Sequence, residues 1–208
     1  MTGPAARIDL VTTSGTFELD GGTWDVTNNI WLVGDDNEVV VIDAAHDAVA
    51  IREGVGGRTV RAVLLTHGHN DHINVAGELR ARLVAPVLMH PADMPLWERV
   101  YPHDEPDGRL AHGMEVEVAG TRLRVLHTPG HSPGSCCLLL EDAEATPVLF
   151  SGDTLFQGGP GATGRSYSDH PTIMASIREQ LITLPPSTVV HTGHGPSTTI
   201  GAEAAQFA

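Results

Sequence analysis

Four short segments, each placed directly after a predicted strand, carry histidine or aspartate residues of the kind that bind metal ions. They are 66–72 (THGHNDH), 128–131 (TPGH), 151–154 (SGDT) and 192–195 (TGHG). Loops at the carboxyl ends of strands gather at one edge of an α/β protein, so ligands on four such loops can meet at one site. The four segments therefore predict an α/β fold with a metal site at one edge.

Composition narrows the class of protein. The 208 residues include 12 Lys+Arg and 26 Asp+Glu, a formal net charge of −14 that is spread along the chain and opposes nucleic-acid binding. A hydrophobic content of 41% is enough for one core, and we predict a single domain over 1–208. The 12 histidines equal the Lys+Arg count, which makes their positions informative.

The sequence also bears on the compartment. No apolar run approaches the roughly 20 residues of a membrane span, and MTGPAARIDL lacks the pattern of a signal peptide. Cys136 and Cys137 are adjacent, cannot link distant segments, and are expected to be buried small hydrophobes. These features favour a cytoplasmic protein with no membrane partner.

Apolar periodicity predicts two strand-rich halves with helices outside. In the first half, four strands are expected in two hairpins that turn at Gly21-Gly22 and 35–37. The fourth contains a continuous apolar run at 39–42, and another continuous apolar strand is expected at 60–65. The proline-containing stretch 91–112 is predicted to be mostly irregular, with its Trp97 and Tyr101 forming either a substrate wall or packing beneath a loop.

The remaining segments are also predicted to alternate between helices and strands. Helices are expected at 47–53, on the stripe from Ile73 to Leu83, and after Asp169 or His170, where Pro171 suits a first turn. Strands are expected at 85–90, in a hairpin turning near Gly120, in CCLLLE and PVLFSGD, and in STVVHT.

The ligand types and their spacing favour a metal centre. Imidazole and carboxylate together suit zinc, iron or manganese without any thiolate. His67 and His69 lie two apart on an extended segment and can face one ion, whereas Asp71 and His72 are turned toward a second position at a helix start. A carboxylate such as Asp153 can bridge two ions about 3.5–4 Å apart. For single histidines such as His90 and His112, ordinary structural roles are expected.

THGHNDH, TPGHSPGS, SGDTLF and TGHGP resemble, in this order, the metal-binding motifs of the metallo-β-lactamase fold. The resemblance runs from VVVIDAA to TGHGP and implies an α/β protein, a four-layer αββα sandwich with a binuclear site between its sheets. It implies that metal one is held by His67, His69 and His131, and metal two by Asp71, His72 and His194, with Asp153 bridging and Asp43 supporting the ligands from beneath.

Within that superfamily, SGDTLF followed by GGPGATGRS resembles the bridging-aspartate loop of short glyoxalase II-like (hydroxyacylglutathione hydrolase-like) enzymes. This resemblance implies two divalent ions, zinc first with iron or manganese as alternatives, and a metal-bridging hydroxide that cleaves acyl-thioesters. Asp71 and Asp153 would be the catalytic proton acceptors. The chain ends shortly after His194 and its arginine loop departs from GRTD, so a low-molecular-weight thiol other than glutathione, such as mycothiol, is expected.

The sequence offers several candidate substrate contacts and more than one possible activity. Arg165, Tyr167 and His170 could contact an anionic thioester or ester, although a surface ion pair is the commoner role of an arginine, and His46 could line the site mouth or lie in an exposed loop. The alternatives are a mononuclear iron persulfide dioxygenase, a lactonase or phosphodiesterase, and a non-catalytic metal-binding module. A bridging Asp153 argues against a true β-lactamase, and no RNA-binding extension is visible.

Overall fold

The continuous apolar strands face two different cores, because successive side chains of a strand point to opposite sides. Val39 and Val41 belong to one apolar cluster, whereas Val40 and Ile42 belong to another. The structure, a computed structural model, describes residues 6–141 and 146–207. Within these ranges the strands form two six-stranded sheets, which share the second of these clusters between them.

Each sheet is built from one continuous half of the chain. The first sheet has the order β1 (Arg7–Leu19), β2 (Gly22–Gly34), β3 (Glu38–Ile42), β4 (Thr59–Leu64), β5 (Val87–Met89), β6 (Gly108–Arg109). The second contains β7 (Glu115–Val118), β8 (Thr121–His127), β9 (Cys136–Leu140), β10 (Val148–Gly152), β13 (Val189–Thr192) and β14 (Thr198–Thr199), in the order β14-β13-β10-β9-β8-β7. A small hairpin, β11 (Leu155–Phe156) and β12 (Gly159–Pro160), lies beyond β10.

Helices cover both outer faces. They are α1 (Ala48–Val55), α2 (Asn70–Ile73), α3 (Ala76–Leu83) and α4 (Met94–Val100) in the first half, and α5 (His170–Ser176) and α6 (Ile200–Glu203) in the second. The first group packs on the outer face of sheet one, in the cluster that contains Val39 and Val41, and the second packs on the outer face of sheet two, in a third apolar cluster. The predicted αββα sandwich is therefore confirmed.

The ends of the helices follow the expected signals. Asp47 caps α1 by accepting from the amides of Val49 and Ala50, and Asp169 caps α5. The α5 stripe continues through a turn of π-helix (Ile177–Leu181). The predicted helix from Ile73 to Leu83 is instead two helices, α2 and α3. None of the helices in the described ranges is long and apolar enough to cross a lipid bilayer.

Two further predictions about the first half were wrong. GTWDV and NIWLVG form one strand, β2, rather than two, so three strands replace the four expected. Asn28 and Asn29 separate the two runs in sequence, but their side chains find partners inside the protein and the strand continues through them. The side-chain Nδ2 of Asn29, for example, donates to the carbonyl oxygens of Thr192 and Gly195.

The stretch 91–112 is not mostly irregular. It contains a turn of 3₁₀-helix (Pro91–Asp93), α4 and β6. Pro91 and Pro95 stand in the first turns of these helices, where proline lacks only an N–H that would have no partner and its fixed φ suits the helix. The single domain over 1–208 stays a prediction, since residues 1–5, 142–145 and 208 lie outside the described ranges.

Candidate metal centre

The four predicted loops follow β4, β8, β10 and β13, and all four bring their polar side chains to one place between the two sheets. Sheet one contributes the loop after β4, and sheet two contributes the other three. A fifth loop, after β3, contributes Asp43. Its backbone lies in the left-handed region (φ 68°), a conformation that is uncommon outside glycine, and its carboxylate points toward the same place.

The first group of ligand atoms consists of three ring nitrogens. His69 Nδ1 lies 3.0 Å from His67 Nε2 and 3.0 Å from His131 Nε2. Two ligands held at about 2.0–2.1 Å by one tetrahedral ion would be about 3.3 Å apart, so this convergence fits a single metal ion. Burial and the neighbouring His72 hold the pKa of His67 well below its usual value, and burial and His131 lower the pKa of His69 to about 3. These imidazoles are therefore neutral, the form that binds metal.

The second group combines two imidazoles with a carboxylate. His72 Nε2 lies 3.2 Å from His194 Nε2, and Asp71 Oδ2 lies 3.3 Å from His194 Nε2 and 3.6 Å from His72 Nε2. Burial opposes the charged form of His194, but Asp153 and then Asp71 outweigh it and raise the pKa of His194 to about 10. His194 is therefore protonated at neutral pH in the absence of metal, and a metal ion bound at Nε2 would displace that proton.

Asp153 lies between the two groups. Its Oδ1 is 3.4 Å from His72 Nε2, and its Oδ2 is 3.4 Å from His194 Nε2 and 3.7 Å from His131 Nε2. Burial opposes ionisation, but His72 and His194 hold the pKa of Asp153 well below its usual range. Its Oδ1 is buried and has no hydrogen-bond partner among the described residues, which fits a carboxylate whose oxygens await cations.

Hydrogen bonds fix the ring orientation of the histidines. Asp43 Oδ2 accepts from His72 Nδ1 (2.8 Å) and from Thr66 Oγ1 (2.9 Å), and Thr66 Oγ1 in turn lies 3.1 Å from His67 Nδ1. Because Nδ1 is engaged in each ring, Nε2 faces the centre. Supporting ligands from beneath is the role that the resemblance implied for Asp43, and these contacts are of that kind.

Backbone carbonyl groups do the same for two ligands of the second half. The carbonyl oxygen of Ala162 accepts from His131 Nδ1, and that of Thr27 accepts from His194 Nδ1, both at 2.8 Å. Both rings therefore also present Nε2 to the centre. Thr27 belongs to β2 of sheet one, and His194 lies in the loop after β13 of sheet two, so this contact also connects the two sheets at the site.

A small cavity of about 40 Å³ opens beside the first group. It is lined by Phe17, Leu19, His69, His131, Ala162, Arg165, Ser166 and Ser168. The Arg165 guanidinium stacks 3.8 Å above the ring of Trp24. Of the three predicted substrate contacts, only Arg165 lines this cavity. Tyr167 is 40% exposed, and His170 starts α5 and faces Thr163.

The aromatic residues of the stretch 91–112 pack rather than line the cavity. Trp97 is fully buried in the core beneath sheet one, and its Nε1 donates to the carbonyl oxygen of Asp104. The Tyr101 hydroxyl donates to the carbonyl oxygen of Ile73. Of the two alternatives for these residues, packing is therefore the one that the structure shows.

Sequence reasoning missed two buried polar residues at the site. Asn28 donates through Nδ2 to the carbonyl oxygen of Asp71 (2.8 Å) and to its Oδ2 (3.2 Å), and its Oδ1 lies 2.9 Å from His46 Nε2. His46 thus stands behind Asn28. A signal existed in the pair of asparagines inside an apolar strand. The second missed residue, Asp93, had no such signal and is fully buried.

A family model described as "Metallo-beta-lactamase superfamily" matches residues 23–194, a range that contains all seven candidate ligands. Among curated relatives, the chain is 35% identical to the "Probable metallo-hydrolase YqgX" of Bacillus subtilis, over 83% of this chain and 87% of that protein. It is 30% identical to the "Hydroxyacylglutathione hydrolase GloC" of Haemophilus influenzae, over 84% and 89% of the respective lengths.

Solved structures show the same similarity. A structure described as BLEG-1 B3 metallo-beta-lactamase matches with a TM-score of 0.74 and 32% identity, over 91% of this chain and 95% of that one. TTHA1623 in a di-iron-bound form matches with a TM-score of 0.72 and 36% identity, over 86% and 93%. ETHE1 from Myxococcus xanthus matches with a TM-score of 0.70 and 28% identity, over 91% and 80%.

Proposed function

This chain belongs to the metallo-beta-lactamase superfamily as one of its metallo-hydrolases, and from that premise we propose that it hydrolyses acyl-thioesters of a low-molecular-weight thiol. The single observation that carries the proposal is the convergence of two groups of ligand atoms with Asp153 between them. Relatives named hydroxyacylglutathione hydrolase support the substrate class. The shared core between the sheets supports one domain over residues 1–208.

The donor set fits two divalent ions. One would be held by His67, His69 and His131, and the other by Asp71, His72 and His194, with Asp153 shared. We place zinc first, with iron and manganese as alternatives, because imidazole and carboxylate ligands suit all three and a similar structure is described as di-iron-bound. When bound, such ions lower the pKa of water from 15.7 toward about 7 and polarise the carbonyl group of an ester.

The protein's own groups supply the rest. Asp71 and Asp153 are carboxylates at neutral pH, since the neighbouring histidines outweigh burial and lower the pKa of each, so either can accept the proton of the attacking water. The Phe17 and Leu19 side chains offer the acyl group an apolar wall, and Arg165 offers an anionic group of the substrate a cation. A thiolate is a good leaving group and needs no dedicated general acid.

The test pairs elemental analysis with a substrate panel. Untagged protein is expected to contain about two ions per chain and to cleave a thioester, such as an S-lactoyl thiol, faster than the matched oxygen ester. His69→Ala should lose metal and lower thioester turnover by more than about 100-fold. His103→Ala, which removes an exposed histidine between α4 and β6, is the matched control and should change neither.

Other outcomes would assign a different function. One iron per chain, with oxygen uptake on a persulfide and no thioester turnover, would indicate a dioxygenase. Faster cleavage of a lactone, a phosphodiester or a β-lactam than of any thioester would move the substrate class while keeping the metallo-hydrolase. Protein that binds metal and turns over none of these substrates would indicate the non-catalytic metal-binding module.

A further inference from the structure

Asp93 is a fully buried carboxylate at the end of the 3₁₀ turn that follows β5. Its Oδ2 accepts from the Gly68 amide and from Ser132 Oγ, both at 2.7 Å, and its Oδ1 accepts from the Gly134 amide at 2.5 Å. A carboxylate removed from water is destabilising unless donors surround it, and here three donors do so. Asp93 thus holds three polar groups in fixed positions around its carboxylate.

The donors belong to the two loops that carry the first group of ligands. Gly68 separates His67 from His69 and follows β4 of sheet one, whereas Ser132 follows His131 directly in the loop after β8 of sheet two. One side chain therefore joins two loops that come from different sheets. The backbone amide of Cys136, the first residue of β9, donates a further hydrogen bond to the carbonyl oxygen of Thr66 in the loop after β4.

Two glycines make the close approach of Asp93 feasible. A Cβ at Gly68 would lie 2.9 Å from Leu96 Cβ and 3.0 Å from Asp93 Cβ, and a Cβ at Gly134 would lie 2.7 Å from Asp93 Cγ. At these distances a side chain at either position would force neighbouring atoms to shift. Because positions 68 and 134 are glycines, the backbones of both loops are in direct contact with Asp93.

We infer that Asp93 is a positioning residue for the first ion, setting the separation of His67 and His69 from His131. The second ion has its own supports, because Asn28 contacts Asp71 and Asp43 contacts His72. Loss of Asp93 should therefore weaken the binding of one ion and leave the other. This inference rests on the proposed metal centre.

The experiment is a competition titration of metal-free protein with Zn²⁺ and a chromophoric chelator, which resolves two affinities. In Asp93→Asn one carboxylate oxygen becomes an NH₂ group that opposes a backbone N–H. One of the two affinities is expected to fall by about 10–100-fold. In a His131→Ala background, which already lacks one of the three ligands of the first group, Asp93→Asn should have no further effect on the affinity of the second ion.

Glu203→Gln is the matched control. Glu203 is also buried and also accepts three hydrogen bonds, from the Gly158 amide, Thr198 Oγ1 and Gln206 Nε2, but none of these donors adjoins a candidate histidine ligand of the first group. This variant should lower the urea midpoint to an extent similar to Asp93→Asn and leave both Zn²⁺ affinities unchanged.

The outcomes separate this inference from the proposed function. If the wild type binds two ions and Asp93→Asn keeps both affinities, or loses them equally, the inference is overturned alone. If the wild type binds no metal, the proposed function fails and the inference with it. Should Asp93→Asn not fold, Ser132→Ala replaces it, with a smaller loss at the same ion expected and no loss contradicting the inference.

Discussion

The residues of the candidate metal centre are of two kinds: the candidate ligands, and the buried polar residues that hydrogen-bond to the ligands or to their loops. The seven candidate ligands could be predicted because each stands in a short local motif after a strand. Asn28 and Asp93 could not, since their partners are far along the chain: Asn28 contacts a residue 43 positions away, and Asp93 one 41 positions away. Local sequence shows ligand chemistry, but only tertiary structure shows which buried polar group meets which loop.

Asp43→Asn tests this division at the second ion. An amide in place of the carboxylate loses an acceptor for His72 Nδ1 or for Thr66, and the His72 ring is then free to turn. We expect the affinity for the second Zn²⁺ ion, the one that His72 would bind, to fall by about 10–100-fold, measured by chelator competition. Asp36→Asn, on an exposed loop, should change nothing. Equal affinities in Asp43→Asn and wild type would show that the ring needs no such partner.

The two cysteines should be unreactive while the protein is folded. Both are free and buried, and burial raises the pKa of Cys137 to about 11 and that of Cys136 well above its usual value. Thiolate is the reactive form, so at pH 8 only about one molecule in a thousand would carry it at Cys137. A chromogenic disulfide reagent should label neither thiol within minutes in buffer and both in 6 M guanidinium. Rapid labelling of the native protein would contradict this picture.

At the scale of elements, the sequence was most informative where strands are covered on both sides. The run at 39–42 is apolar throughout because its side chains alternate between two cores. The prolines of the stretch 91–112 predict a loop, whereas in the protein Pro91 and Pro95 stand in the first turns of helices. Proline alone cannot distinguish these cases, since it suits both a first helical turn and a loop.

Trp97 and Trp24 should respond to truncation in opposite ways. Trp97→Ala removes a fully buried ring of α4 and should lower the free energy of unfolding by about 3–5 kcal/mol in a urea titration. Trp24→Ala removes a partly exposed ring under Arg165, so we expect a small loss of stability and a raised KM for an anionic thioester. A raised KM with unchanged stability in Trp97→Ala would restore the substrate-wall alternative.

At the scale of the whole molecule, bound metal should contribute measurably to stability. A ligand present at 100 times its Kd stabilises the folded state by about 2.7 kcal/mol, which corresponds to a rise in Tm of about 5–10 °C for a chain of this size. We expect chelation to lower Tm by this order and Zn²⁺ to restore it, measured by calorimetry. A His131→Ala/His194→Ala double variant, with a ligand of each ion removed, should show a much smaller shift. An equal shift in that variant would place the metal elsewhere.

The construction of each sheet from one half of the chain has a consequence for the integrity of the polypeptide. Each ion would take two ligands from the half that ends with β6 and one from the half that begins with β7, apart from the shared Asp153. The ions would therefore act as non-covalent cross-links between the two halves. A proteolytic nick between β6 and β7 should leave the fragments associated while metal is bound, and chelation should promote their separation.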